Sequence, residues 1–123
     1  MEIEVSIGEI VDKLSILDIK MKNITNNEKL KNIEKEFIYL NNIVFNQLKI
    51  EEIDYQKLVS INKKLWIIED DIRDKERNKE FDENFIELAR LVYFTNDQRA
   101  EIKKEINIKY GSLFVEEKSY QKY

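Results

Sequence analysis

The sequence has no cysteine, no histidine, no proline and only two glycines, Gly8 and Gly111. The absence of cysteine excludes disulfides and thiol chemistry. The absence of both cysteine and histidine excludes the usual zinc sites. The absence of histidine also excludes every catalytic triad or dyad that needs imidazole. The scarcity of proline and glycine argues against a turn-rich all-β fold. No apolar run approaches the roughly 20 residues that a membrane-spanning helix needs.

Charged side chains make up 37% of the chain, and the 21 basic and 25 acidic residues are interspersed, with a net charge of −4. This pattern gives no basic stripe for nucleic acid or for anionic lipid, so we expect neither nucleic acid nor a membrane as a partner. The first residues, "MEIEVSIGE", lack the basic and apolar regions of a signal peptide. We therefore expect a cytoplasmic protein.

The apolar periodicity is helical almost throughout, and the starts of four helices are marked. The start signals are two capping boxes and two acidic N-caps: Ser6 with Glu9, Thr25 with Glu28, Asp54, and Asp82. Gly111 offers a left-handed C-cap after the last helix. The sequence predicts a single domain, residues 1–123, with helices at about 6–23, 25–49, 54–77 and 82–110 and a tail at 111–123.

Short links between these long helices favour antiparallel neighbours, hence an all-α, up-down antiparallel bundle of four helices. In the alternative arrangement, two hairpins open out and intertwine with a second chain as a dimer. The tail, "SLFVEEKSYQKY", is rich in aromatic residues. We expect it to pack on the bundle or on a partner.

Polar residues interrupt the apolar stripe of the fourth helix. The stripe begins with the predicted core residues Phe85, Leu88, Ala89 and Val92 and continues with Thr95, Asn96, Arg99 and Lys103. An unpaired buried charge is strongly destabilising, so Arg99 and Lys103 must pair, coordinate something or reach water.

Polar side chains also lie on or beside the core-facing arcs of the first and third helices. We predict that they converge with those of the fourth helix on one polar centre: Asp18, Asn62, Glu69, Arg73, Asn96, Arg99 and Lys103. Such a centre is either a buried network that only fixes helix register or a ligand site. We expect no metal, because carboxylate-bridged metal bundles need histidine, and we expect no cofactor.

Four segments carry a resemblance to a known family: "VSIGEIVDKLSILDIKM" (5–21), "INKKLWIIEDDIR" (61–73), "FIELARLVYFTNDQRAEIKKEIN" (85–107) and "GSLFVEEKSY" (111–120). Together they resemble a small bacterial family catalogued as a domain of unknown function. The resemblance implies a helical protein and a link to surface-polysaccharide assembly. It implies no activity and no catalytic residues.

Two functions remain open. In the first, the chain is an accessory or interaction protein, a homodimer or a binder of another protein. A second apolar face of the first helix, at Ile16 and Ile19, and the aromatic tail support this reading. In the second, an Arg/Lys-lined pocket binds or transforms a small anionic metabolite, as in the helical chorismate mutases, whose reaction needs electrostatic stabilisation and no nucleophile. The sequence leaves open whether the protein is an enzyme.

Overall fold

The computed structural model describes residues 2–115, and these residues are almost entirely helical. The elements are α1 (Ile7–Asn23), α2 (Asn27–Asn42), a π-helical turn (Ile43–Gln47), α3 (Glu52–Arg77) and α4 (Glu83–Lys109). No strand occurs within residues 2–115. The predicted all-α bundle of four helices is confirmed. The expected packing of the tail beyond residue 115 lies outside the described residues.

Two of the four predicted N-caps are confirmed. The Ser6 hydroxyl accepts a hydrogen bond from the backbone N–H of Glu9 at 3.2 Å, and the Asp82 carboxylate accepts one from the N–H of Phe85 at 3.0 Å. At the other end of α4, Gly111 has the positive φ of 69° that was expected of a C-cap glycine.

The other two helices begin elsewhere than predicted. Asn26, and not Thr25, caps α2, because its side-chain oxygen accepts from the N–H of Lys29 at 3.0 Å. The third helix begins at Glu52, so Asp54 lies inside its first turn, where its side chain is buried and bonded to Lys109 of α4. The acidic residue that was predicted to start the helix holds it to its neighbour instead.

The second helix was predicted to run to about residue 49, but α2 ends at Asn42 and a π-helical turn follows. Val44 in this turn is completely buried, and the Phe45 ring packs edge-on against Tyr55 with ring centroids 5.2 Å apart. The wider turn therefore brings the end of this segment into the core.

The third and fourth helices form a long antiparallel hairpin. We call its open end, where Asp54 meets Tyr110, the base. Two separate turns of α1 contact this base, since Gly8 bonds to Asn107 and Asp18 bonds to Tyr55. The first helix therefore lies across the base of the hairpin. The apolar core forms there: Val11, Leu14, Val44, Ile50, Tyr55, Leu58, Val59 and Ile106.

Gly8 allows α1 and α4 to come into close contact. Its backbone N–H donates to the Asn107 side-chain oxygen at 2.7 Å. A Cβ atom at this position would lie 2.7 Å from the carbonyl oxygen of Lys103, closer than side-chain carbons approach backbone oxygens. Glycine is therefore required here by packing.

The far half of the hairpin, residues 69–94, contains no buried residue, and we call it the outer hairpin. Phe85, Leu88, Ala89 and Val92 were predicted as core, and this prediction is wrong, because all four are only half-buried. α1 crosses the base, and α2 makes no contact with α4, so neither helix covers this part of α4.

The second apolar face of α1 was expected to contribute to binding another chain. Ile19 is instead buried within the chain, at 3% exposure, because α1 packs against α2, α3 and α4. Ile16 beside it is half-buried. No helix in the part of the chain that the structure describes is long and apolar enough to cross a membrane.

Candidate functional site

A polar centre lies between α1, α3 and α4, and the Asp12 carboxylate is its middle. Asp12 is 2% exposed. Its Oδ1 accepts from Asn62 Nδ2 at 2.8 Å and from Arg99 Nε at 3.0 Å, and its Oδ2 accepts from Arg99 Nη2 at 2.5 Å. One carboxylate thus joins three helices, with the planar fork of the guanidinium bound at both oxygens.

Ser15 completes the buried part of the polar centre. Its hydroxyl donates to the Asp12 carbonyl oxygen at 2.6 Å and accepts from Asn62 Nδ2 at 2.8 Å. Because the hydroxyl proton is directed at a backbone carbonyl, no general base is placed to activate this serine as a nucleophile. Within residues 2–115, every buried side-chain nitrogen and oxygen has a hydrogen-bond partner.

The polar centre reaches the surface along one edge, where Arg99 lies. The Arg99 side chain is 27% exposed, and its Nη1 donates to the side-chain oxygen of Asn96 at 3.4 Å. One turn further along α4, Lys103 forms an ion pair with Glu9 of α1. Two basic side chains of α4 therefore each engage an acidic side chain of α1.

Of the seven residues predicted for the centre, the structure brings three together: Asn62, Asn96 and Arg99. Lys103 lies beside them in its own ion pair. The other three predicted residues, Asp18, Glu69 and Arg73, contact different partners.

Asp18 lies at the other end of α1, where it accepts a hydrogen bond from the Tyr55 hydroxyl at 2.8 Å. Burial and this neighbouring carboxylate raise the pKa of Tyr55, so the phenol keeps its proton and acts as the donor. Glu69 and Arg73 face each other on the exposed surface of α3 at 3.8 Å, one turn apart. These three residues belong to no common site.

Asp12 and Ser15 were not among the residues predicted for the polar centre. A usable signal was present, because Asp12, Ser15 and Ile19 follow one another at helical spacing and so share a side of α1. That side was taken for an outer face. Its polar residues are Asp12, opposite in charge to Arg99, and Ser15, and they indicated that this side packs against α3 and α4.

A second polar cluster, which we call the base clasp, ties α3 to the end of α4. Tyr110 donates its hydroxyl proton to Asp54 at 2.6 Å and accepts from the N–H of Glu51 at 2.9 Å, while Lys109 donates to Asp54 at 2.8 Å. Burial acts to raise the pKa of Asp54, but the hydrogen bonds from Lys109 and Tyr110 outweigh it. The pKa therefore lies below its usual value.

The polar centre and the base clasp are both clusters that fix the orientation of the helices relative to one another. Their carboxylates are already bound by cationic or hydrogen-bonding groups, so neither cluster presents a free acid or base to a substrate. No group of three or more acidic side chains that could hold a metal ion occurs between residues 2 and 115.

A family model, described as a family of unknown function, DUF6165, matches residues 1–123. The chain belongs to this family. The predicted membership of an uncharacterised family is thus confirmed, and DUF6165 brings no activity that could be transferred to the polar centre. Comparison with curated proteins and with solved structures gave no match.

Proposed function

We propose that this protein is an accessory protein that acts by binding another protein chain through its outer hairpin. One observation carries the proposal. No residue from 69 to 94 is buried, although this segment holds a series of large apolar side chains. They include Ile72, Phe81, Phe85, Ile86, Leu88, Leu91 and Val92.

The energetics of these side chains favour a binding role. Full burial of one Leu, Ile or Phe side chain contributes about 1.5–3 kcal/mol. Phe81 and Ile86 are 58% and 56% exposed, so their own chain gives them little of this stabilisation. Contiguous apolar surface that stays exposed to water commonly marks a binding site.

The charge of the outer hairpin indicates what kind of partner it fits. Residues 69–94 contain nine acidic and five basic side chains, a net charge of −4 that equals the net charge of the whole chain. Such a surface repels nucleic acid and anionic lipid. The partner that fits is a protein with an apolar surface and basic side chains at its rim.

The alternative, binding of a small anionic metabolite at Arg99 and Lys103, has less support. Asp12 occupies the guanidinium of Arg99 through both carboxylate oxygens, and Glu9 pairs with Lys103. An anion would have to compete with these carboxylates. The link to surface-polysaccharide assembly that the family resemblance implied stays a prediction.

Photo-crosslinking in cells tests the proposal. A photo-reactive amino acid is placed at Phe81 or at Ile86 in the full-length protein, and a matched control carries it at Ile38, which is 69% exposed on α2. We expect the outer-hairpin positions to give a discrete adduct with a protein chain, identified by mass spectrometry, and position 38 to give none.

The crosslinking experiment has two possible outcomes. An adduct at 81 or 86, whether with a second copy or with a different protein, supports the proposed function. Irradiated samples in which positions 81 and 86 label nothing more than position 38 does would overturn it.

A further inference from the structure

One exposed edge of α3 carries charges that reverse in sign around an apolar centre. Ile67, at 61% exposure, is the centre. Lys63 and Lys64 precede it, Asp70 and Asp71 follow it, and all four charged residues are exposed. The edge is thus basic towards the base of the hairpin and acidic towards its turn.

The four charges are arranged symmetrically about Ile67. At about 100° per residue, Lys64 and Asp71 fall on one side of the Ile67 direction, and Lys63 and Asp70 fall on the other. At about 1.5 Å of rise per residue, each charge lies about 4.5–6 Å from Ile67 along the helix axis. A half-turn about an axis through Ile67 therefore brings each lysine position onto an aspartate position.

These charges have no ion-pair partner in their own chain, as far as residues 2–115 show. The ion pairs along α3 use its neighbours instead: Lys57 with Asp54, Arg73 with Glu69, and Arg77 with Asp74. Lys75 binds across the hairpin turn to Glu80 and Asp82. A matching surface outside the chain can therefore take up Lys63, Lys64, Asp70 and Asp71 without breaking an existing pair.

We infer that a second copy of this chain packs antiparallel along α3, on a twofold axis through Ile67. Lys64 then faces Asp71 of the second copy, and Lys63 faces Asp70 of the second copy, and each pair occurs twice. The inference rests on the proposed function, because Asp70 and Asp71 of the outer hairpin contact the second copy, and it names the partner. A parallel arrangement would set like charges opposite each other, so the charges select the antiparallel one.

The size of this surface predicts a weak dimer. Helix α3 has 26 residues, which makes it about 39 Å long, and a strip one helix wide, about 10 Å, covers about 400 Å². Stable interfaces bury about 800 Å² on each partner. We therefore expect a dissociation constant on the order of 100 µM that rises with salt, because exposed ion pairs are screened.

Sedimentation equilibrium of the full chain, from about 10 µM to about 1 mM, tests the inference with charge reversals. Lys64→Glu alone and Asp71→Lys alone each place like charges together at two symmetric sites, and each should weaken the dimer about tenfold. The double variant Lys64→Glu/Asp71→Lys restores opposite charges and should restore the dimer. Lys35→Glu, at an exposed site on α2, is the matched control and should change nothing.

Failure of the inference is distinguishable from failure of the proposed function. A wild-type monomer at every concentration, or a double variant that dimerises no better than the single ones, would overturn the inference. If the crosslinks at 81 or 86 then lead to a different protein, the proposed function stands with another partner. If they lead to none, both fail.

Discussion

The base and the outer half of the α3–α4 hairpin are built from the same two helices, yet they differ in burial. Leu58 and Ile106 at the base are covered by α1 and the π-helical turn, whereas Ile72 and Leu88 in the outer hairpin are only half-buried. All four lie at helical spacing on apolar stripes. An apolar stripe becomes core only where another element covers it, and here α1 covers the base alone.

Polar groups show the same difference. At the base, Asp12 and Asp54 are buried and bonded to Arg99 and Lys109 of α4. In the outer hairpin the ion pairs lie on the surface, as between Arg73 and Glu69. Buried pairs are costly to break, because one charge is left without water, while exposed pairs contribute at most about 1 kcal/mol. Removing one partner of an ion pair is therefore more destabilising at the base than in the outer hairpin.

The largest expected effect compares apolar truncations in the two halves. Leu58→Ala should lower the free energy of unfolding by about 3 kcal/mol, because it leaves a cavity in the core. Ile86→Ala should change it by less than about 0.5 kcal/mol, since this side chain is exposed. Urea unfolding of dilute monomer measures both. Equal losses of unfolding free energy in the two variants would show that the outer hairpin is packed. The difference in burial between the base and the outer hairpin would then not exist.

An intermediate effect compares two arginines. Arg99→Met should destabilise the fold by about 2 kcal/mol, because it leaves the buried Asp12 carboxylate with a weaker set of donors; partial exposure of Arg99 keeps the figure below that of a fully buried pair. Arg73→Met removes only an exposed pair, and we expect a change within about 0.5 kcal/mol.

The same urea titrations distinguish the roles of the two arginines. A stable Arg99→Met protein would indicate that the polar centre does not hold α1 to α4. It would reopen the hypothesis of a ligand site at this arginine.

The smallest expected effect is on the stability of the fold at acidic pH. The pKa of Asp54 is lowered in the folded chain, so the unfolded chain takes up this proton more readily, and the carboxylate stabilises the fold at neutral pH. This contribution is lost as the pH falls below about 4, the ordinary value for aspartate. Asp54→Asn should cost about 1 kcal/mol at neutral pH and should make stability fall less steeply in acid.

Asp82, which caps α4 in the exposed hairpin turn, is the comparison for the acid experiment. The backbone N–H of Phe85, together with Lys75, lowers its pKa as well, but the group is solvated. In Asp82→Asn the side chain still has an oxygen that can accept the capping hydrogen bond. We therefore expect its stability at acidic pH to change less than that of Asp54→Asn. An Asp54→Asn protein with the same acid limb as wild type would contradict the assigned role of the base clasp.

Much of the local structure could be predicted from the sequence. Ser6, Asp82 and Gly111 act as caps because their side chains or backbone freedom satisfy groups within a few residues, and such contacts need no tertiary information. The interruption of the α4 stripe at Asn96 and Arg99 also indicated a polar centre between helices. Asn62, predicted from its position on α3, is part of that centre.

The partner of Arg99 could not be predicted in the same way. Asp12 and Asp18 both lie on α1, and the helical wheel gave reasons to choose Asp18. The helical wheel gives the direction of each side chain around the helix axis. It does not show which residue of α1 lies at the same level as a given residue of α4. Because α1 crosses the base at an angle, Asp12 reaches Arg99, and Asp18 reaches Tyr55 instead.

By itself the sequence determined where most helices start and stop and which of their sides are apolar, because these properties depend on neighbours within one or two turns. Tertiary structure decided which apolar positions became core and which acidic group received the arginine. Those outcomes depend on the angle at which α1 crosses the hairpin, and that angle is set by close packing at Gly8 together with the polar contacts of Asp12 and Asp18.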